Sequence, residues 1–204
     1  MSVDGRAVWH SLTRYYPTPL EVTRAPWIQW CVVLPREVDD ARYDDIRRVG
    51  GEALQALGMT SGLTHMEWFR RRDGSLAVSE VAARPPGAQI TTLVSRSTDA
   101  DFVRGWDELM VFDTFTPPER KYAAGAAFLR AQGKPGGVIR AVHGLDRLSA
   151  ATRALVVDAQ LPALGAGPRP SYEGDGWVIV RHPETAAVER ALSEIITTVR
   201  VELA

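Results

Sequence analysis

The stretch THMEWFRRRDGSLAVSEVAARPPG, residues 64–87, decides the fold of this chain. Two runs with alternating apolar residues flank Asp73-Gly74, a dipeptide typical of tight β-hairpin turns, because both turn positions require positive φ. The pattern therefore predicts a hairpin over roughly residues 63–83. If the loop consists of these two residues alone, Glu67 and Glu80 stand directly opposite each other on one face.

The facing glutamates require an explanation, since like charges opposite each other in a β-ladder repel. A divalent cation between the carboxylates would convert this repulsion into binding, and Mg²⁺ typically takes one or two carboxylates together with phosphate oxygens. Arg84 follows on the same face and is suited to grip a phosphate or carboxylate with two hydrogen bonds. Alternatively, both glutamates lie on a solvated rim and pair with Arg70, Arg71 or Arg72. A three-residue loop would place the glutamates on opposite faces.

The same register assigns the other hairpin residues to faces. The glutamate face also carries Leu63, His65, Phe69, Val78, Ala82 and Arg84, whereas the opposite face carries Met66, Trp68, Ser79 and Val81. Both faces are largely apolar, which predicts a sheet covered on both sides. His65 faces Ala82, and it is either a packed strand histidine or an additional ligand.

These residues resemble the metal-binding core of ATP-grasp enzymes, most strongly over about residues 60–95. Glu67 and Glu80 match the two glutamates that hold Mg²⁺ in that family, and Arg84 matches an arginine that contacts phosphate or substrate. The family commonly has an asparagine where this chain has Ala82, and His65 is a candidate replacement ligand. The resemblance implies Glu67 and Glu80 as metal ligands, Arg84 as catalytic and cofactor-binding, and His65 as cofactor-binding.

The resemblance also implies a reaction. ATP-grasp ligases phosphorylate a carboxylate to an acylphosphate, which an amine or a thiol then attacks, with release of ADP and phosphate. The expected cofactor is Mg²⁺ or Mn²⁺ with ATP as cosubstrate, and the expected partner is a small-molecule carboxylate. Metal and arginine would stabilise charge on the transferring phosphoryl group.

The first, nucleotide-clamping half of an ATP-grasp domain has no counterpart in this sequence. Only two lysines are present, Lys121 and Lys134, and both follow the metal-binding strands. Two interpretations stay open: the ATP- and Mg²⁺-binding, C-terminal portion of a ligase, or a truncated, non-catalytic remnant that needs a partner chain. Apolar surface that would meet the missing half, including Trp27 and Trp30, is expected to be exposed and to cause self-association or partner binding.

The order of elements predicts an α+β fold, a mainly antiparallel sheet with flanking helices, because most strands are joined by hairpins. Strands are expected over 6–15, 27–34, 121–131, 137–142, 153–159 and 177–180, and helices over 39–57, 89–112, 145–152 and 184–199. The 89–112 helix is expected to break near Thr98-Asp99, and a glycine-rich turn at 133–137 to join two strands as a hairpin. The proline-rich segment 114–120 predicts a boundary between residues 1–113, half of an ATP-grasp domain, and residues 114–204, a small β-rich, lid-like subdomain.

Composition excludes several classes of protein. Twenty-four Lys and Arg residues against 25 Asp and Glu give the 204 residues a net charge of −1, with no electrostatic footprint for nucleic acid. No apolar run is long enough to span a membrane. The single cysteine, Cys31, leaves no disulfide framework within the chain. The expectation is a cytoplasmic protein with no nucleic-acid partner and no membrane association.

Overall fold

A computed structural model of the chain describes residues 1–25, 27–132 and 136–204. These residues form two compact units, each discontinuous in sequence. Unit 1 comprises Met1–Leu12 and Glu37–Glu119, and unit 2 comprises Thr13–Arg36 and Arg120–Ala204. The sequence predicts a single boundary between residues 113 and 114. The two units differ from that division, because residues 13–36 pair and pack with the C-terminal part of the chain.

The described residues form an α+β fold with mainly antiparallel sheets, which confirms the predicted fold class. The strands are β1 (Ser2–Val3), β2 (Arg6–Ala7), β3 (Arg14–Tyr16), β4 (Trp30–Leu34), β5 (His65–Arg70), β6 (Leu76–Ala82), β7 (Ala123–Leu129), β8 (Ala131–Gln132), β9 (Ile139–His143), β10 (Val156–Gln160), β11 (Gly176–His182) and β12 (Arg200–Leu203). The helices are α1 (Pro19–Arg24), α2 (Asp44–Ala56), α3 (Ile90–Thr98), α4 (Phe102–Phe112), α5 (Ala150–Leu155) and α6 (Thr185–Thr198). A 3₁₀ turn over Ala41–Tyr43 precedes α2. No helix within the described ranges is both long enough and apolar enough to cross a membrane.

The core of unit 2 lies between helix α6 and a five-stranded antiparallel sheet of order β10-β11-β7-β4-β3. The apolar stripe of α6 is buried against this sheet, as its helical spacing predicts. Close packing depends on Gly125 in β7: a Cβ there would lie 2.5 Å from Leu192 Cδ1 and 2.7 Å from the Val32 carbonyl oxygen. Glycine is therefore required where the helix crosses the central strand.

A set of hydrogen bonds in unit 2 joins α6 to the start of α5. The Glu194 carboxylate accepts hydrogen bonds from the Thr152 hydroxyl at 2.5 Å, the Ser149 backbone N–H at 2.6 Å and the Ser149 hydroxyl at 2.9 Å. The Thr152 hydroxyl and the two Ser149 donors hold the pKa of Glu194 below its ordinary value. Ser149 also caps α5 by accepting from the Thr152 N–H.

Two expectations for the strands are wrong, and one strand was missed. The strand expected over 6–15 is two short strands, β2 and β3, which belong to different units. The strands expected to form a hairpin around 133–137 do not pair, because β12 lies between β8 and β9 in a separate three-stranded sheet. Residues 133–135 of that turn, including Lys134, lie outside the described residues. The β12 strand itself was not predicted.

The tryptophans expected at an exposed surface differ from each other. Trp27 is 60% exposed, in line with the expectation. Trp30 is fully buried, so that expectation is wrong for it: its ring stacks on Phe128 with 4.2 Å between centroids, and its indole N–H donates to the Tyr172 carbonyl. An apolar β4 buried along its whole length explains the difference.

Unit 1 holds the predicted hairpin, β5 and β6, together with α2, α3 and α4. Buried Leu12, Tyr43 and Ile46 form a small core on which Trp68 and Leu76 of the hairpin pack. Two hydrogen bonds of 2.6 and 3.0 Å join the Arg70 guanidinium to the Asp45 carboxylate in the first turn of α2. The expected break between α3 and α4 is present, with Asp99 at φ 55°.

Candidate functional site

The loop of the hairpin differs from the predicted two-residue turn. The Arg71 N–H donates to the Ser75 carbonyl at 2.8 Å, and the Gly74 N–H donates to the Arg71 carbonyl at 3.0 Å. The loop therefore comprises Arg72, Asp73 and Gly74, with Gly74 in the left-handed region at φ 84°. Three-residue loops of this kind commonly place glycine at that position.

A three-residue loop alone would place Glu67 and Glu80 on opposite faces, because side chains alternate along a strand. The ladder contains a second irregularity that restores the pairing. Glu67 pairs with Glu80, while the neighbouring Trp68 pairs with Val78, so Ser79 is an extra residue in β6. The predicted Glu67–Glu80 pair is thus confirmed, although the predicted turn is wrong.

The bulge also changes the assignment of residues to faces. Val78 is opposite Trp68 and shares the face that packs on the small core, whereas the sequence register had placed it beside the glutamates. Phe69 stays on the glutamate face and is 53% exposed. The expectation that both faces are covered is therefore wrong: one face packs within unit 1 and the glutamate face is open to solvent.

Each glutamate on the open face has a basic neighbour. The Arg84 guanidinium donates from Nη2 to Glu80 Oε1 at 3.2 Å and from Nη1 to the Pro85 carbonyl at 3.0 Å. His65 Nε2 lies 3.8 Å from Glu67 Oε1, and the His65 side chain is mostly buried while the carboxylate is 40% exposed. His65 faces Ala82, as predicted. The four predicted site residues are thus held together on one face of the hairpin.

The alternative pairing of the glutamates with the hairpin-tip arginines is absent from the described part of the chain. Arg70 binds Asp45, and Arg71 donates to the Ser75 hydroxyl at 3.2 Å. Both glutamates are nevertheless well exposed, with 47% of the Glu80 side chain accessible. The glutamates are therefore solvent-exposed, as that alternative proposed, and at the same time Glu80 pairs with Arg84 and Glu67 lies near His65.

The donor set suits a hard cation that brings further ligands with it. In the ranges that the structure describes, no three His, Cys, Asp or Glu side chains are grouped so as to hold a metal ion alone. His65 accordingly does not complete a three-ligand group with the glutamates. Two facing carboxylates supply oxygen ligands, and Mg²⁺ usually completes its octahedron with water and phosphate oxygens. The residues present are compatible with such a cation.

Sequence reasoning missed the backbone that follows Arg84. Ala88 and Gln89 adopt φ values of 53° and 58°, in the left-handed region that non-glycine residues seldom occupy. The Gln89 side chain accepts a hydrogen bond from Thr92 Oγ1 at 3.1 Å at the start of α3. Consecutive residues in this region store strain of about 1 kcal/mol or more each, a feature that clusters at functional sites. The Pro85-Pro86-Gly87 sequence indicated a turn after β6, but it did not indicate the left-handed backbone of the two residues that follow.

Solved structures share this fold, although no protein-family model and no curated protein matches the sequence. The L-amino acid ligase from Bacillus licheniformis aligns with 85% of this chain and 44% of its own, with a TM-score of 0.69 and 21% identity. The N5-carboxyaminoimidazole ribonucleotide synthetase from Thermotoga maritima aligns with 85% of this chain and 46% of its own, with a TM-score of 0.59 and 17% identity.

A third similar structure is the biotin carboxylase domain of Hydrogenobacter thermophilus 2-oxoglutarate carboxylase, a dimer in complex with MgADP, ADP and bicarbonate. It aligns with 84% of this chain and 38% of its own, with a TM-score of 0.55 and 14% identity. These structures are ATP-grasp ligases, so the chain has the ATP-grasp fold and the resemblance is confirmed at that level. The chain spans less than half the length of each, which fits a C-terminal portion of the fold.

Proposed function

We propose that this chain is the ATP- and Mg²⁺-binding portion of an ATP-grasp ligase, which activates a carboxylate as an acylphosphate for attack by an amine or a thiol. The observation that carries the proposal is the position of Glu67 and Glu80, which are directly opposite each other on the open face of the hairpin. Arg84 is bound to Glu80 on the same face. The shared fold supports a nucleotide-dependent ligase rather than an unrelated metal protein.

The facing carboxylates favour a cation at this position. Residues directly opposite in an antiparallel pair have Cβ atoms about 5 Å apart, so two ionised glutamates repel each other there. Glu67 and Glu80 would hold Mg²⁺ or Mn²⁺, with remaining positions filled by nucleotide oxygens and water. When bound, the cation neutralises charge on the polyphosphate and on the transferring phosphoryl group.

Arg84 and His65 have different roles in this proposal. The Arg84 guanidinium is always charged and presents paired donors that match a phosphate or carboxylate, so it binds and orients the anionic reactant. His65 lies beside the Glu67 carboxylate on the same strand, with 3.8 Å between Nε2 and Oε1, so in this proposal it helps to position Glu67. In this proposal Arg84 touches the reacting groups, and His65 is a positioning residue.

A second candidate function is favoured by Ala82. This residue stands opposite His65, where an ATP-grasp ligase commonly has an asparagine that assists metal binding. A metal site that lacks this asparagine would bind nucleotide without turnover. The chain would then be a binding subunit that needs a partner chain. Release of ADP on addition of candidate carboxylates and amines, with hydroxylamine to trap acylphosphate, separates catalysis from binding alone.

Exposed apolar residues support a partner chain or self-association. Val111 and Phe112 near the end of α4 are each 69% exposed, and Met110 beside them is 57% exposed. Neighbouring apolar side chains of this size at a surface are typical of interaction sites. A monomer in analytical ultracentrifugation at high micromolar concentration would contradict self-association.

Isothermal titration calorimetry tests the principal proposal. The wild-type chain is titrated with ATP in the presence of Mg²⁺, beside the Glu67→Gln, Glu80→Gln double variant. A Glu52→Gln, Glu108→Gln double variant removes the same charge from exposed helical glutamates and serves as the matched control. Saturable binding that requires Mg²⁺, is lost in the hairpin variant and persists in the control supports the proposal. Absence of binding by the wild type, or equal loss in both variants, contradicts it.

A further inference from the structure

We propose that Glu80 competes with anions for Arg84 and that a cation at Glu80 relieves this competition, so that cation and anion favour each other's binding. The inference rests on the proposed function, since it concerns the same hairpin, and it adds a regulatory step to it. The anion is a polyphosphate, the class of ligand that paired arginine donors and a neighbouring divalent cation recognise together.

The two glutamates differ in their partners, and this difference is the basis of the inference. Glu80 is bound by the Arg84 guanidinium at 3.2 Å. Glu67 faces it across the ladder, but in the part of the chain that the structure describes its basic neighbour is His65, whose Nε2 lies 3.8 Å from Glu67 Oε1. Removing either carboxylate takes the same charge from the same face. Removing Glu80 alone releases the guanidinium.

Two positive groups interact with the Glu80 carboxylate in this proposal: the Arg84 guanidinium and the divalent cation. Arg84 contacts Oε1 of Glu80, so a divalent ion can bind the other carboxylate oxygen, but that ion repels the nearby guanidinium. A cation at Glu67 and Glu80 therefore weakens the attraction of Glu80 for the guanidinium, which then binds an anion more readily. By linkage, an anion on Arg84 strengthens cation binding by the same factor.

The size of the effect follows from exposure. About half of each side chain in the Glu80–Arg84 pair is accessible to solvent. Ion pairs of this kind shift an equilibrium by roughly twofold to fivefold, because solvent screens the attraction. The coupling is therefore modest, and it must be measured against a variant of identical charge.

The experiment is calorimetric titration with inorganic tripolyphosphate in the presence of EDTA. Tripolyphosphate has no nucleobase and EDTA removes divalent metal ions, so neither a nucleobase nor a metal ion contributes to the measured affinity. Glu80→Gln is compared with Glu67→Gln, which lowers the negative charge of the face equally but leaves the Arg84 ion pair in place. We expect Glu80→Gln to bind tripolyphosphate about twofold to fivefold more tightly than Glu67→Gln. Adding Arg84→Ala to Glu80→Gln is expected to remove this gain.

Equal affinities in the two single variants would overturn the inference, as would a gain that survives loss of Arg84. Thermal unfolding of each variant verifies that the hairpin is folded, which is expected because both glutamates are well exposed. Titration of the wild type with ATP and Mg²⁺ reports separately on the proposed function. If the wild type binds nucleotide but the two single variants bind tripolyphosphate equally, only the competition between Glu80 and anions for Arg84 is refuted. An intact Glu80→Gln effect without nucleotide binding refutes only the nucleotide function.

Discussion

Deletion of Ser79 tests whether the bulge sets the register of the site. Ser79 is the extra residue of β6, since Val78 already pairs with Trp68 and Glu80 with Glu67. Removing it leaves a regular ladder in which the glutamates remain opposite. If the proposed site is correct, we therefore expect the deletion variant to bind ATP with Mg²⁺ as the wild type does, although the residue removed is directly beside Glu80.

The cost of the deletion is small. Ser79 is exposed, and its hydroxyl donates one hydrogen bond of 3.3 Å to the Glu67 carbonyl. A neutral hydrogen bond contributes about 1 kcal/mol to the free energy of unfolding, and an exposed one contributes less. The variant is thus expected to lose at most about 1 kcal/mol in chemical denaturation.

A regular hairpin with a two-residue loop predicts the opposite result. There, removing Ser79 would move Glu80 by one position and turn its side chain to the other face. Nucleotide binding would be lost, as in the Glu67→Gln, Glu80→Gln variant. Calorimetry on the deletion variant distinguishes the two registers, and loss of binding with an intact fold would refute the register described above.

Three further predictions concern stability. Gly125→Ala is expected to destabilise unit 2 by about 1–3 kcal/mol, because its Cβ would clash with α6 and β4. Gly51→Ala in α2 is expected to stabilise the chain by about 0.5–1 kcal/mol, because a Cβ there meets nothing within 4 Å. Chemical denaturation measures both changes. Because the pKa of Glu194 is lowered in the folded state, its contribution is complete above the ordinary carboxyl pKa and is lost as the pH falls below it. Glu194→Gln should therefore lose more stability at neutral than at acid pH, and a difference independent of pH would contradict this. Trp30→Ala is expected to cost about 3–5 kcal/mol, and Trp27→Ala much less, by thermal unfolding.

The sequence predicted the site better than the loop that forms it. Alternation of apolar residues on both sides of Asp73-Gly74 was sufficient to locate the two strands. The Glu67–Glu80 pair was predicted correctly because the extra loop residue and the extra strand residue Ser79 compensate each other. The loop includes Arg72, and a Gly74 with positive φ suits both a two-residue and a three-residue loop. The bulge at Ser79 has no local sequence signal, because an exposed serine is equally compatible with a regular strand.

Long-range pairing explains most of the remaining errors. Strand β12 has four residues directly after α6 and lies between β8 and β9, an arrangement that local patterns do not encode. Burial of Trp30 depends on contacts with Phe128, almost a hundred positions away in the chain. By contrast, α6 and the break at Asp99 were predicted, because helical spacing and helix ends are local signals.

The central claim is that Glu67 and Glu80 jointly hold one cation against a nucleotide. A double-mutant cycle tests it most directly: calorimetry measures the affinity for ATP with Mg²⁺ in the wild type, in Glu67→Gln, in Glu80→Gln and in the double variant. Ligands of one ion act as a unit, so each single variant is expected to lose nearly as much affinity as the double variant. Losses that add independently, or no loss in either single variant, would contradict the claim.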